Sequence, residues 1–286
     1  MALNAELTIV GNRPEPWSEF VKFMEGHKLQ LKHEAKVDVS TIGKKVLAFH
    51  APIHQRIGEI KSANNFQSII CEGLFSKESW PLLAELLKDI SGQRFEKLGD
   101  LMQNPQAAKT ASVTSAKTRH DLKDTMVSHL KGLKVRTTIT DRCFQVAEEM
   151  LMNAIYDAPI DKGGQSLYNH MSRKDDVLLK PQEFSVFEYC VKNQIVAVSV
   201  SDPFGGLTRE TLINYLDSCY SGHAGEMNEL SPAKGGAGRG LHLIVESADL
   251  TVFQVKRGVC TRVVSYFWQK ENPLGVNPQL SFTYFD

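Results

Sequence analysis

Four glycines, Gly235, Gly236, Gly238 and Gly240, crowd six consecutive positions immediately before the apolar run LHLIVESA. Amides at a helix start, unshielded by side chains, form an anion-binding surface suited to phosphates. The loop is not a P-loop, because no Gly-Lys-Ser/Thr ends it, and not a dinucleotide fingerprint, because no parallel strand feeds directly into it. The preceding SGHAGEMNELSPAK is long, polar and glycine-bearing, as expected of a segment that closes over a ligand. Lys234 and Arg239 would add positive charge there, although both read equally well as surface charge.

A second constraint lies upstream in AEEMLMNAIYDAP. Cys143, Ala147, Met150, Leu151 and Ala154 recur at helical spacing as a buried stripe, with Thr140 or Asp141 as the expected N-cap and Pro159 as the stop. Glu149, Asn153 and Asp157 form a polar column beside that stripe, facing either water or a ligand. Asparagine is a poor helix former, so its place between Met152 and Ala154 needs a reason. Magnesium offers one, since it takes hard oxygen ligands such as an amide carbonyl and leaves other positions to phosphates and water. A carboxylate one turn away can accept a proton from a hydroxyl or water attacking a terminal phosphate. Finally, Asp202 ends the apolar run IVAVSVSD and is followed by Pro203, Phe204, Gly205 and Gly206. A carboxylate at a strand end can accept from an exocyclic amine, and adjacent glycines allow close approach to a flat base, although Asp and Gly are also common in plain turns.

The order of these elements resembles the GHKL superfamily of ATPases, which includes gyrase, a heat-shock chaperone, histidine kinases and a mismatch-repair protein. EEMLMNAIYDA at 148–158 is similar to its N box, SDPFGGL at 201–207 to its first glycine box, and GGAGRGLHLIV at 235–245 to its second. The likeness spans roughly residues 112–270. It implies Glu149 as general base, Asn153 as magnesium ligand, Asp202 as adenine acceptor, and Gly206, Gly236, Gly238 and Gly240 as backbone contacts to ATP. Asp157, Lys234, Arg239 and Thr261, the last near the base, complete the implied nucleotide contacts. The chain departs from the family's first box in having Phe204 where a glycine stands, a bulk expected to narrow the adenine pocket or reshape the turn. His120-Asp-Leu-Lys123 superficially resembles a phosphoacceptor box, but only one helix fits between it and the N box, too little for a dimerisation hairpin. The layout is nearest to the anti-sigma-factor type of serine/threonine kinase, implying transfer of the terminal phosphate of Mg-ATP to a regulatory partner, anti-anti-sigma or sigma-like, and allowing a homodimer. The alternatives are a non-catalytic ATP-dependent switch and a histidine-kinase-related signalling protein.

The expected fold is α+β, with helices on one face of a mixed, mainly antiparallel sheet at 118–270, a Bergerat-type sandwich by resemblance. Residues 6–91 alternate β-rich and helical runs, predicting a separate α/β domain at 1–95 with a largely parallel sheet. That domain is faintly similar to a response-regulator receiver, but Gly11-Asn12-Arg13 and His50-Ala51-Pro52 stand where acidic residues belong. Residues 96–117 are expected to be a linker and 271–286 a peripheral tail. The 33 basic residues balance 33 acidic ones, which argues against a general nucleic-acid binder. Five cysteines without a Cys-x-x-Cys pair, and no apolar window long enough to span a membrane, point to a reduced, cytoplasmic protein.

Overall fold

A computed structural model describes residues 6–11, 13–35, 45–49, 57–62, 67–220, 237–274 and 279–285. The strands are β1 (Glu6–Gly11), β2 (Gln30–Glu34), β3 (Lys45–Phe49), β4 (Ser68–Cys71), β5 (Lys109–Val113), β6 (Ser185–Lys192), β7 (Ile195–Asp202), β8 (Leu250–Lys256), β9 (Cys260–Trp268) and β10 (Gln279–Phe285). The helices are α1 (Trp17–Gly26), α2 (Ile57–Ser62), α3 (Trp80–Gly92), α4 (Leu98–Leu101), α5 (Thr118–Gly132), α6 (Thr137–Met152), α7 (Arg209–Tyr220) and α8 (Ala237–Ser247). The fold is mixed α+β.

All ten strands join one sheet in the order β2-β1-β3-β4-β10-β8-β9-β7-β6-β5. The expected parallel sheet is present at one end, where β2, β1, β3 and β4 run parallel. At the other end β5, β6, β7, β9 and β8 pair antiparallel. Short turns set that second half. Asn193, at φ 54, takes the left-handed position between β6 and β7, and Gly258, at φ 67, does so between β8 and β9.

Two stretches differ from expectation. Residues 96–117 do not form a free linker: they contain α4 and β5, and β5 pairs antiparallel with β6 from Lys109↔Tyr189 to Val113↔Ser185. An edge strand buries little, so a mostly exposed KTASV carries only a weak apolar signal. In the stretch 271–286, expected to be a peripheral tail, the described Gln279–Phe285 form β10, which lies between β4 and β8, antiparallel to the first and parallel to the second. Leu280 and Phe282 are buried on one face of β10, Ser281 and Thr283 on the other. The two halves are therefore stitched by the chain's last strand, and no independent boundary runs between them.

Both faces of the sheet are covered. Along β7, Val196, Val198 and Val200 enter the core under α5 and α6, whereas Ala197 enters the core shared with α1, α3 and α4. Along β9, Phe267 faces the first of these and Val264 and Tyr266 the second. Apolar residues on both sides of a strand require cover on both sides, and the cover opposite the expected helices comes from α3 and α4 of the N-terminal half.

A buried polar cluster fixes that cover. Arg262 on β9 is 2 % exposed, and its Nη2 lies 2.6 Å from Oδ2 of fully buried Asp89 on α3. Gln254 on β8 donates to the same Asp89 oxygen at 3.0 Å and accepts from Arg262 Nε at 2.7 Å, and Arg262 Nη1 donates to the Glu96 carbonyl. Burial raises the Asp89 pKa, while Arg262, Gln254 and the Glu96 amide act against that rise. Removing one partner leaves an uncompensated buried charge. Asp89→Ala is accordingly expected to cost about 3–5 kcal/mol in urea unfolding, and Asp89→Leu combined with Arg262→Met to recover most of it. A loss below about 1 kcal/mol for the single variant would contradict this role.

Candidate functional site

The helix carrying Glu149 starts at Thr137, earlier than the expected cap at Thr140 or Asp141. Thr140 is buried inside its first turns and its hydroxyl donates back to the Arg136 carbonyl at 3.2 Å. The stripe of Cys143, Ala147, Met150, Leu151 and Ala154 is buried as its spacing predicts. At Asn153 the helix widens into a π-helical turn, Asn153–Asp157, closed by the Ala158 amide donating to the Asn153 carbonyl at 2.8 Å. Such widened turns break side-chain register and recur at functional sites. Asn153 therefore stands where a regular helix ends, which removes the propensity objection to it.

A cavity of about 310 Å³ opens beside this turn. Asn153 and Asp157 line it from the helix, Asp202, Gly206 and Thr261 from the sheet and its loop, and Leu241 and Ile244 from α8. Five residues singled out in the sequence thus share one pocket. The sequence reading missed Ile160 and Asn169, which come from the long connection after Pro159, and Thr211 of α7. The length of that connection was the available signal for the first two. Thr208 gives one for the third, since its Oγ1 accepts from the Thr211 amide at 3.1 Å and caps α7 beside the pocket.

Asp202 sits at the end of β7, paired in register with Thr261 of β9. Its Oδ1 accepts from the amides of Phe204 at 2.9 Å and Gly205 at 3.4 Å. Gly205, at φ +61, is required here: a Cβ would lie 2.1 Å from the Lys256 carbonyl oxygen. Gly206 has no such constraint, since a Cβ would meet only Ile160 Cδ1 at 3.7 Å. Phe204 is not among the residues lining the cavity. Burial pushes the Asp202 pKa up to about 6, against the opposing hydrogen bonds from Phe204, Gly205 and Thr261.

Among the glycine-loop residues, Lys234 and Gly236 lie outside the described residues. The helix expected to begin near Leu241 begins at Ala237, so Gly238, Arg239 and Gly240 belong to the first turn of α8. Gly240 is buried against α6. A Cβ there would stand 2.6 Å from Glu149 Oε2 and 3.5 Å from Asn153 Oδ1. The absence of a side chain at 240 is what lets α8 close on these two polar groups. Burial and then the neighbouring Glu148 raise the Glu149 pKa, while Arg173 and Arg119 act in the opposite direction.

Around this end, Glu148 is paired with Arg119 at 3.4 Å and with Lys123. Asp157 is held by Arg173, whose Nη2 lies 2.7 Å and 2.8 Å from its two oxygens. His120 is exposed in the first turn of α5, with a ring nitrogen 3.2 Å from Arg119 Nη2, and α6 follows α5 directly. No helix among the described residues is long and apolar enough to cross a membrane. No family model matches the chain, and no curated protein matches it in sequence.

The raised pKa of Asp202 has a consequence for stability. Its ionised form is disfavoured in the folded chain, so the destabilisation is absent below the unfolded pKa near 4, grows as pH rises, and is complete above about 6. Asp202→Asn keeps the Oδ1 acceptor and should stabilise the protein by about 2–3 kcal/mol at pH 7.5, with the gain shrinking towards pH 4. Equal gains at both pH values in denaturant titrations would refute this. At Gly240, alanine improves helix propensity by roughly 0.5–1 kcal/mol but displaces the Glu149 carboxylate. Gly240→Ala should therefore keep or raise the melting temperature while lowering the affinity of any ligand that needs Glu149 and Asn153 in place. A crystal structure with Glu149 unmoved would count against it.

Proposed function

We propose that this protein binds Mg-ATP in the cavity between α6, α8 and the sheet, and transfers the terminal phosphate to a serine or threonine of a regulatory protein partner. The observation that carries the reading is the meeting of Asn153, Asp157, Asp202, Gly206 and Thr261 around one cavity, with Gly240 closing on Glu149 and Asn153 beside it. Helix, strand end and glycine-bearing helix start are far apart in sequence and converge here in the order of the GHKL boxes. The helices α5–α8 on one face of the antiparallel strands are consistent with a Bergerat-type sandwich.

The Asp202 carboxylate would accept from the adenine amine at the buried end of the cavity, with Thr261 beside it. Asn153 offers a neutral, hard oxygen on the helix side of the cavity, beside Gly240, which suits a magnesium ligand. The ion would supply charge neutralisation on the phosphates. Glu149, raised in pKa by burial, is a stronger base than an exposed glutamate. It would take the proton of the acceptor hydroxyl as that oxygen bonds to the terminal phosphorus. The bridging oxygen–phosphorus bond breaks with its electron pair leaving on ADP.

Calorimetry with Mg-ATP should show at least a tenfold weaker Kd for Asn153→Ala and near-normal binding for Glu149→Gln, whereas Glu149→Gln should lose transfer by roughly 10²- to 10⁴-fold. Labelled ATP with candidate partners gives the second readout. Acid-stable label on a partner supports serine or threonine transfer, acid-labile label on the protein itself would favour His120, and binding without label would favour a nucleotide-operated switch. Unchanged Mg-ATP binding by Asn153→Ala would sink the assignment.

A further inference from the structure

Six polar residues line the cavity: Asn153, Asp157, Asn169, Asp202, Thr211 and Thr261. Four of them already have partners within the chain. Asp157 is held by Arg173, Asp202 accepts from the amides of Phe204 and Gly205 and from Thr261, and the Thr211 hydroxyl lies 2.7 Å from that of Thr208. The two carboxamides, of Asn153 and Asn169, have no hydrogen-bond partner among the described residues. Asn153 is taken up by the magnesium role above. Asn169, half-buried on the cavity wall, is the polar group still without a task.

Its backbone is fixed by short-range bonds in the connection between Pro159 and Glu183. Ile160 bridges to Ser166, the Leu167 amide donates to the Pro159 carbonyl at 2.9 Å, and the Asn169 amide donates to Ser166 Oγ at 3.2 Å. Asp161 Oδ1 closes the turn between Ile160 and Ser166, accepting from the Gly163 and Gln165 amides at 2.8 Å and 2.9 Å. The neighbouring Tyr168 hydroxyl donates to buried Glu183 at 2.8 Å. The same short stretch reaches across the site, because Ile160 Cδ1 lies 3.7 Å from where a Cβ on Gly206 would stand. It thus forms the wall that joins the helix side of the cavity, with Asn153 and Asp157, to the strand-end side, with Asp202 and Gly206. A nucleotide with its base at Asp202 and its phosphates beside Asn153 would carry its sugar along that wall.

We propose that Asn169 recognises the sugar of the bound nucleotide, its carboxamide pairing with the ring hydroxyls and so selecting a ribonucleotide over its deoxy forms. This role rests on the nucleotide reading above and adds to it a choice of sugar. A carboxamide carries an acceptor oxygen and a donor nitrogen side by side, which matches two adjacent hydroxyls, one donating and one accepting. With the backbone already held, little is lost in ordering the side chain on binding. A site built to hydrogen-bond a hydroxyl rejects the analogue that lacks it, because its own polar group is then left unpaired.

The test is calorimetry on the full chain with Mg-ADP and its 2′-deoxy and 3′-deoxy forms, none of which the proposed transfer consumes. The wild-type protein should bind at least one deoxy form about 3- to 10-fold more weakly than ADP. Asn169→Ala should weaken ADP by that same factor and leave the deoxy form within about twofold, so that the discrimination disappears. Asn169→Leu keeps the bulk of the side chain without its polar atoms and must behave in the same way, which separates a lost hydrogen bond from a lost wall. Equal wild-type affinity for all three ligands would overturn the sugar contact and leave the nucleotide site standing. So would discrimination that persists in both variants, or an equal loss for all three ligands. Wild-type protein that binds neither Mg-ADP nor Mg-ATP would overturn both readings.

Discussion

Arg262 holds the architecture together through a charge that has no access to water. On β9 it reaches Asp89 of α3 and Gln254 of the neighbouring β8, while its neighbours Thr261 and Val263 face the cavity on the opposite side. Strand alternation makes this unavoidable: one residue of β9 serves the N-terminal layer and the next serves the pocket. Displacing α3 would strand the Arg262 charge and shift the strand that positions Thr261 against Asp202. Such a pair adds little net stability compared with an apolar replacement, but its geometric demands are strict and it fixes one register of α3 on the sheet.

The pocket is built on the opposite principle, since its groups are individually unfavourable. Asp202 is ionised at neutral pH only against desolvation, Glu149 is raised by burial and by Glu148, and Asn153 interrupts a helix. The surrounding apolar core under α5 and α6 offsets these costs. The π turn is where the two meet. Through it Ala154, Ile155 and Tyr156 remain buried while Asn153 and Asp157, four residues apart, line the cavity.

Much of this was legible from residue patterns. The buried stripe of α6, the strand-end aspartate and the parallel strands of the first half all follow from periodicities strong enough to survive tertiary context. What was hidden has a physical reason in each case. The strand β2, QLKHE, alternates exposed and half-buried positions at the sheet edge and so carries a mostly polar sequence. In β10, QLSFTYF reads as a strand, yet nothing local says that it inserts between β4 and β8 rather than trailing away. Long-range pairing is invisible to local pattern. At Phe204 the backbone is set by Asp202 accepting its amide and by Gly205, and Phe204 is not among the residues lining the cavity.

The role of the N-terminal half changes with the topology. Its parallel strands in the order β2-β1-β3-β4 match the beginning of a flavodoxin-like doubly wound sheet, in which a fifth parallel strand would follow β4. Here the next position is filled by β10, antiparallel to β4 and parallel to β8. The strand that would complete an independent domain is thus the chain's own C-terminus, and it serves the other half equally. With α3 also supplying cover for β7, β8 and β9, the described elements of the first half are part of the scaffold on which the cavity is built.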